Sequence, residues 1–327
     1  LSDLLITYLF DGLIIAYQNS EYAQSYAAQA IFGGIGVNGK LPVSTKHFSV
    51  GKGLNTSKIR LAYTTPQDIG ISSSSLHRVD SIVEASIKDE AMPGCQIFAI
   101  KDGSVFYNKS FGYHTYKKER KVINSDIYDI ASVTKVAATV PSLMKLYEDK
   151  KIDLDKTLGD YIAMSDTSNK KNMIIREVLA HQAGLAAWIP FYKQTINEDN
   201  QLRDTLYSAS YSDSFSVEVA KGIYLNNEYV DSIFQQVVDS DLREDKNYKY
   251  SDLGYYFFKK MIEEIQATSL DTFVAQNFYD KLGMSTLTYL PKKKYKLDRI
   301  VPTEFDYYFR SQLLQGDVHD MGAAMQG

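Results

Sequence analysis

An Asp102-Gly103 dipeptide separates two runs rich in β-branched and aromatic residues, residues 96–101 and 104–111. Both residues of this pair readily adopt the left-handed conformation that a two-residue hairpin turn needs, so two antiparallel strands are predicted. Upstream, the serines of residues 72–75 precede apolar residues at helical spacing, which predicts a capped helix. From about residue 69 the predicted order is therefore a helix, a hairpin and then further helices, which is typical of an α+β domain.

Helical periodicity dominates the chain after the hairpin. Pro141 falls inside the first of these segments and predicts a kink there. A long polar stretch, residues 192–247, has poor periodicity, and we interpret it as a small lid of helices. The predicted helices cover residues 132–149, 174–181, 252–266 and 270–279.

The first 65 residues have a different character. A continuous apolar run over residues 12–17 is typical of a buried strand, residues 21–32 predict a helix that ends at Gly33-Gly34, and residues 39–44 predict an edge strand. Residues 52–66 are polar and aperiodic and are interpreted as a linker. We therefore predict two parts, a piece of an α/β domain over residues 1–65 and an α+β domain over residues 66–327.

Composition excludes several classes of protein. Hydrophobic residues make up 44% of the 327 residues and charged residues 23%, values typical of globular proteins. The net charge of −4 argues against a nucleic-acid partner. With one cysteine, Cys95, and five scattered histidines, we expect no disulfide and no metal or other cofactor. No apolar run reaches the ~20 residues of a membrane span. The apolar N-terminal segment, residues 1–17, carries Asp3 and Asp11 and lacks a basic region and a small-residue cleavage site, so it does not resemble a signal peptide.

The sharpest local motif is Ser132-Val133-Thr134-Lys135. Positions three apart share a helix face, so the serine hydroxyl and the lysine ammonium can meet. A serine needs a base to become a nucleophile, and burial lowers the pKa of a lysine, so Lys135 is a candidate base with a lowered pKa. The alternative is a serine at a helix start with a surface lysine nearby, and the motif alone favours that alternative.

A second motif is Tyr250-Ser251-Asp252, which comes directly before a predicted helix. A phenol close to a lysine can relay protons, and a polar side chain two residues on can hold a substrate amide. The alternative is a helix N-cap formed by Ser251 or Asp252, with the tyrosines packed beside it. A third motif, residues 181–185 (HQAGL), is interpreted as a helix C-cap with its glycine in the left-handed region.

Together the motifs resemble the serine β-lactamase-like superfamily, which includes class C β-lactamases, D-Ala-D-Ala peptidases and related esterases. The resemblance covers about residues 69–327. It is carried by the order SxxK, HxxGL and YSxxGY, and by residues 130–135 (IASVTK), 144–154 (MKLYEDKKIDL), 174–185 (IIREVLAHQAGL) and 278–288 (FYDKLGMSTLT).

The resemblance implies roles for four residues. Ser132 is expected to be the acylated nucleophile, Lys135 its activating base and Tyr250 the partner that relays protons. Asp252 occupies the substrate-binding position where the superfamily usually has asparagine, and a carboxylate cannot donate an amide hydrogen bond. The backbone N–H of Ser132 is expected to form half of an oxyanion hole.

The superfamily's third motif, KTG or HxG on a closing strand, is not found in this sequence. His319-Asp320-Met321 does not match it and is interpreted as a surface loop. We therefore expect the β-lactamase-like domain, an antiparallel sheet flanked by helices, to be incomplete at its C-terminal end.

Residues 1–65 resemble the end of the C-terminal domain of glycoside hydrolase family 3 proteins. The match lies in residues 13–20 (LIIAYQNS), 27–34 (AAQAIFGG) and 39–44 (GKLPVS). In some bacterial proteins a β-N-acetylglucosaminidase-like part of this family precedes a β-lactamase-like part. The sugar-cleaving carboxylates would then lie upstream of this chain.

These observations predict a serine acyl-hydrolase that forms a covalent acyl-enzyme on a D-Ala-ending cell-wall peptide, a β-lactam or a small ester. An extracytoplasmic, periplasmic location follows from the resemblance alone, and the oligomeric state is left open. Two alternatives stay open as well. The chain is an accessory part of a family 3 β-N-acetylglucosaminidase, or it is a non-catalytic module that binds cell-wall peptide.

Overall fold

A computed structural model describes residues 11–326, which form two compact units divided after Asn124. Residues 1–10, which carry the first part of the N-terminal apolar segment, lie outside the described residues. The division predicted after residue 65 remains a prediction.

In its described residues, 11–124, the first unit contains two α-helices and one three-stranded sheet. The strand order is β1-β3-β2, with β2 and β3 antiparallel and β1 parallel to β3. Both helices begin after a serine whose hydroxyl accepts a backbone N–H. The elements are α1 (Glu21–Ile31), β1 (Ala62–Tyr63), α2 (Ser73–Lys88), β2 (Gly94–Lys101) and β3 (Ser104–Gly112).

The predicted hairpin is confirmed. Lys101 pairs with Ser104 across a two-residue turn. Asp102 and Gly103 have φ values of 50° and 70°, the left-handed pair that such a turn requires. The predicted helix behind its serine cap is confirmed as α2.

Two strands predicted before residue 50 are wrong. Residues 12–17 form no strand, and Leu13 is 50% exposed, because within the described residues this run has no strand to pair with. Residues 39–44 form no strand either. Leu41 pairs with the loop at residues 51–52, and the next residue, Pro42, has no N–H with which to extend the pairing.

The second unit combines helices with two small antiparallel sheets, of strand order β4-β6-β5 and β7-β8. The mixed α+β class is confirmed. The elements are a π-helical turn (Lys135–Thr139), α3 (Val140–Glu148), α4 (Ile175–Leu179), β4 (Tyr207–Ser208), β5 (Val217–Ala220), β6 (Ile223–Leu225), α5 (Asn227–Asp239), α6 (Leu253–Gln266), α7 (Leu270–Val274) with a π turn (Ala275–Tyr279), β7 (Glu304–Asp306), β8 (Gln312–Leu314) and α8 (Met321–Ala324).

The stretch at residues 192–247 is not the lid of helices that we predicted. Within it, α5 is an α-helix, but three short strands, β4 to β6, form a sheet just before it. Strands of two to four residues are too short to show a clear alternation of apolar and polar side chains, which is why the pattern did not reveal them.

Helix α6 lies at the centre of the main core, and its residues Phe257, Phe258, Met261 and Ile262 are fully buried. Near its start, Gly254 has no room for a side chain, since a Cβ there would lie 2.6 Å from a methyl carbon of Val178. This close approach brings the beginning of α6 to the end of α4. No helix in the described part of the chain is long and apolar enough to cross a membrane.

Candidate active site

Ser132 lies at the start of the helical segment that leads into α3. Helical conformation begins at Val133, and the Lys135 N–H donates to the Ser132 carbonyl at 3.0 Å. The preceding residue, Ala131, has a φ of 44°, in the left-handed region that a residue with a Cβ rarely occupies. The Ser132 residue is exposed, so the turn presents it to solvent.

The side chain of Lys135 joins three of the four predicted site residues. Its Nζ donates to Ser132 Oγ at 2.9 Å and lies 2.7 Å from Asp252 Oδ1. The same Nζ lies 5.3 Å from the centre of the Tyr250 ring. The structure therefore brings Ser132, Lys135, Tyr250 and Asp252 together in one cluster.

The expected lowering of the Lys135 pKa is wrong. Burial would lower the pKa of Lys135, but hydrogen bonding to Asp252 and to Tyr250 outweighs burial, and the net pKa is raised. Lys135 is therefore an ammonium at neutral pH, and its partner is the carboxylate of Asp252, which the sequence suggested as a substrate contact or a helix cap.

Ser251 explains why the Asp252 carboxylate is available to Lys135. The buried Ser251 hydroxyl donates to the Ala186 carbonyl at 2.6 Å and accepts the Leu253 N–H at 3.2 Å. Ser251 thus satisfies a donor at the start of α6, and the Asp252 side chain makes no cap hydrogen bond. The N-cap interpretation holds for Ser251 and not for Asp252.

His181 belongs to the site, which the C-cap interpretation of residues 181–185 missed. Helix α4 does end just before His181. Both His181 and Gly184 have positive φ values, 57° and 78°, so the left-handed conformation is not confined to the glycine. Its Nδ1 accepts the Ser251 N–H at 3.1 Å, and its ring lies 4.7 Å from the Tyr250 ring. His181 thus contacts Tyr250, which belongs to the Lys135 cluster, and Ser251, which follows it in the chain.

The pKa of His181 is lowered by burial and by the charge of Lys135. The ring is therefore neutral at pH 7, which leaves a lone pair on Nδ1 for the Ser251 N–H. The spacing within the motif gave no sign of this contact, because its partner lies 70 residues away.

Tyr255 is the last residue of the YSxxGY motif, but the sequence gave it no role at the site. Its ring centre lies 5.2 Å from Lys135 Nζ, on the first turns of α6. Tyr250 and Tyr255 thus both place an aromatic ring within cation–π range of the Lys135 ammonium. The motif contained Tyr255 but gave no sign that its ring would face the lysine, because Lys135 lies 120 residues earlier in the chain.

A cavity of about 200 Å³ opens beside Asp252. Aromatic and acidic side chains line it, among them Trp188, Tyr256 and Asp320. His319 also lines this cavity, and its Nδ1 lies 2.5 Å from a carboxylate oxygen of Glu304. The segment interpreted as a surface loop therefore borders the site.

The described residues contain no group of three or more histidine, cysteine, aspartate or glutamate side chains arranged to hold a metal ion.

The family described as Beta-lactamase matches residues 79–295. The chain belongs to this family. The match contains Ser132, Lys135, Tyr250 and Asp252 and begins after residues 1–65, whose resemblance to glycoside hydrolases stays a prediction.

The curated relatives include a protein of Salmonella typhimurium named "Putative D-alanyl-D-alanine carboxypeptidase". It is 28% identical over 284 residues, which cover 80% of this chain and 60% of the relative. The chain thus spans less than two thirds of the length of that relative.

Solved structures show the same fold at low identity. The octameric penicillin-binding protein homologue from Pyrococcus abyssi has a TM-score of 0.56 at 18% identity, covering 76% of this chain and 55% of that one. FmtA from Staphylococcus aureus has a TM-score of 0.51 at 17% identity, covering 83% and 68%.

Proposed function

We propose that this chain is a serine acyl-hydrolase of the penicillin-binding type, with Ser132 as its nucleophile. The observation that carries the proposal is the 2.9 Å hydrogen bond between Lys135 Nζ and Ser132 Oγ, with Asp252 and Tyr250 on the other sides of the ammonium. Membership of the Beta-lactamase family supports it, as does the name of the Salmonella relative.

The proposed reaction begins with attack of Ser132 Oγ on a substrate carbonyl carbon. The new C–O bond produces a tetrahedral intermediate, and expulsion of the leaving group produces an ester on Ser132. Water then attacks that ester, releases the acid and restores the hydroxyl. The Ser132 N–H, at the start of the helical segment, is the proposed first donor to the oxyanion.

The raised pKa of Lys135 changes the proton transfer expected from the sequence. An ammonium cannot accept the Ser132 proton, so we assign that step to the phenolate form of Tyr250, whose ring adjoins the positive charge of Lys135. The proton moves from Ser132 Oγ to the phenolate oxygen as the new C–O bond forms. Tyr250 then returns the proton to the leaving group. Lys135 orients Ser132 Oγ and supplies a fixed positive charge beside the reacting atoms.

Asp252 supports the ammonium and borders the cavity, so it has two proposed tasks. Its carboxylate keeps Lys135 charged, and its free lone pairs accept hydrogen bonds from a substrate N–H. The side-chain amide usual at this position in the superfamily can both donate and accept hydrogen bonds, whereas the Asp252 carboxylate can only accept them. We therefore propose peptides that present an N–H at this point, with a D-Ala-ending peptide as the leading candidate.

The wider setting is also a proposal. An extracytoplasmic location and a cell-wall substrate fit a carboxypeptidase-like activity. Association with a family 3 glycoside hydrolase rests on the sequence of residues 1–65 and is tested by the sequence upstream of this chain.

Intact-protein mass after exposure to a fluorescent penicillin, and separately to 4-nitrophenyl acetate, tests the proposal. We expect a covalent adduct in the wild-type protein and none in Ser132→Ala. Which of the two reagents reacts shows whether the site accepts a β-lactam or a small ester as its acyl donor. A folded protein that forms no adduct with either reagent would favour the non-catalytic module that binds cell-wall peptide.

A further inference from the structure

The carboxylate of Asp129 connects two segments that lie 190 residues apart in the chain. Its Oδ1 accepts the Ala131 N–H at 2.8 Å, and its Oδ2 accepts the His319 N–H at 3.0 Å. We propose that Asp129 is a positioning residue for acyl transfer, which fixes the turn before Ser132 against the segment at residues 318–320. We call these two hydrogen bonds the Asp129 bridge; the inference rests on the proposed role of Ser132.

The first half of the bridge bonds to a residue, Ala131, whose backbone conformation is unfavourable for a residue with a Cβ. Ala131 has a φ of 44°, which brings its Cβ close to the following carbonyl oxygen. Such a conformation persists only when surrounding contacts impose it. The Asp129 side chain holds the Ala131 N–H directly, and Ser132 is the next residue.

The second half of the bridge ends on a segment that is anchored from its other side. The Arg310 guanidinium donates to the Val318 carbonyl at 2.7 Å and to the His319 carbonyl at 2.8 Å. Arg310 is fully buried and is paired with buried Asp306 at 2.7 Å. The His319 peptide group is therefore a fixed reference point, and Asp129 attaches the Ser132 turn to it.

Only a side chain with an acceptor on each of two oxygens can make both bonds. Asparagine can accept the Ala131 N–H through its one oxygen, but its NH₂ group would then face the His319 N–H. Alanine can accept neither. The series from aspartate to asparagine to alanine thus removes the two halves of the bridge one at a time.

The bridge also places His319 beside the cavity that Asp252 borders. Loss of the bridge would alter the position of Ser132 relative to that cavity without removing any group that contacts the reacting atoms. A displacement of about 1 Å at a nucleophile can reduce a rate by about 100-fold. We therefore expect an effect on the acylation step and not on substrate affinity.

The test measures single-turnover acylation by 4-nitrophenyl acetate over a range of concentrations in wild-type protein, Asp129→Asn and Asp129→Ala, which separates the acylation rate from the dissociation constant of the noncovalent complex. We expect the acylation rate to fall about 10- to 100-fold in Asp129→Ala, with that dissociation constant changed less than about threefold, and an intermediate loss of rate in Asp129→Asn. The matched control is Asp153→Ala, since Asp153 makes the same local bond to the N–H two residues on, at 2.9 Å, away from Ser132. The control should acylate at the wild-type rate.

A rescue variant separates positioning from a loss of folding. Glycine occupies positive φ without a penalty from a Cβ. Ala131→Gly placed in the Asp129→Ala protein should therefore recover part of the lost acylation rate. If the double variant is no faster than Asp129→Ala, the role assigned to the Ala131 hydrogen bond is wrong.

Amide hydrogen exchange gives a readout that does not depend on catalysis. In Asp129→Ala, the amides of Ala131 and His319 should lose protection together, and in Asp129→Asn only that of His319 should. Unchanged protection at both amides, or an Asp129→Ala rate within twofold of wild type, would overturn the bridge. A wild-type protein that forms no acyl-enzyme would instead overturn the proposed function, and the exchange experiment would still decide the bridge.

Discussion

The hydroxyl of Tyr279 donates a hydrogen bond to the Ala137 carbonyl at 2.9 Å. Ala137 lies four residues before Pro141, so an ordinary residue at that position would offer its backbone N–H to this carbonyl in an α-helix. Proline has no N–H to offer. A side chain from the end of the α7 segment thus bonds to a carbonyl of the helical segment that begins at Ser132.

Tyr279→Phe should lower the free energy of unfolding by about 1 kcal/mol, because the buried hydroxyl and its carbonyl partner lose their bond. Urea denaturation measures the change. Tyr307→Phe is the control, since Tyr307 is 76% exposed and should be neutral. Equal stabilities for both variants would show that the Tyr279 bond contributes nothing.

Lys135→Ala should slow acylation by about 100-fold or more, because Ser132 Oγ loses the group that orients it. The control is Lys145→Ala on α3, whose ion pairs with Glu148 and Asp149 lie on the helix surface. Stopped-flow acylation by 4-nitrophenyl acetate measures both. An unchanged rate in Lys135→Ala removes this residue from the mechanism.

Asp252→Asn should lower the pKa of Lys135, since burial then acts with less opposition. If the ammonium form is the active one, acylation in the variant should decline at a lower alkaline pH than in the wild-type protein. A pH–rate profile from pH 6 to about 11 shows this. A faster reaction at neutral pH would instead return the role of base to Lys135.

Arg310→Met should cost about 3–5 kcal/mol of stability, because Asp306 would remain buried without its partner. The control is Arg176→Met, whose pair with Asp155 is exposed to solvent, so its loss should leave the stability nearly unchanged. Urea denaturation at pH 7 measures both. If both variants lost the same stability, burial of the Asp306–Arg310 pair would not be the reason for the large effect of Arg310→Met.

The same pair predicts the direction of acid sensitivity. Burial raises the pKa of Asp306, but Arg310 and the backbone N–H groups of Phe309 and Tyr308 outweigh it, and the pKa is lowered. A carboxyl with a lower pKa in the folded state stabilises the fold above its ordinary pKa of 3.8 and loses that contribution as pH falls. In Arg310→Met the folded-state pKa of Asp306 rises, so the stability lost between pH 7 and about pH 3 should be smaller than in the wild-type protein, which urea denaturation at the two pH values measures.

Local patterns predicted those parts of the fold that depend on a few neighbouring residues. The Asp102-Gly103 turn, the serine cap of α2 and the contact between Ser132 and Lys135 each involve residues at most three apart. Residues 12–17 show the limit of such patterns, because an apolar run becomes a strand only if another strand pairs with it.

The candidate site needed information that spacing does not contain. Resemblance to a family suggested Tyr250 and Asp252, but not the ion pair between Asp252 and Lys135 or its effect on the pKa of Lys135. The contact between Asp129 and His319 joins residues 190 positions apart. Only the folded chain brings such residues together, and nothing in the sequence around His319 indicated that its N–H would bond to Asp129.

The π-helical turn at Lys135–Thr139 has a consequence for the helix that follows it. A π turn contains one residue more than the α-helical ladder would use, and one residue corresponds to about 100° of rotation around the axis. The buried side chains Leu143 and Leu146 on α3 are therefore rotated around the helix axis relative to Lys135, compared with their positions in a regular α-helix. Deleting one residue within the turn would preserve a helix. The Lys135 ammonium could then no longer face the site while Leu143 and Leu146 face the core.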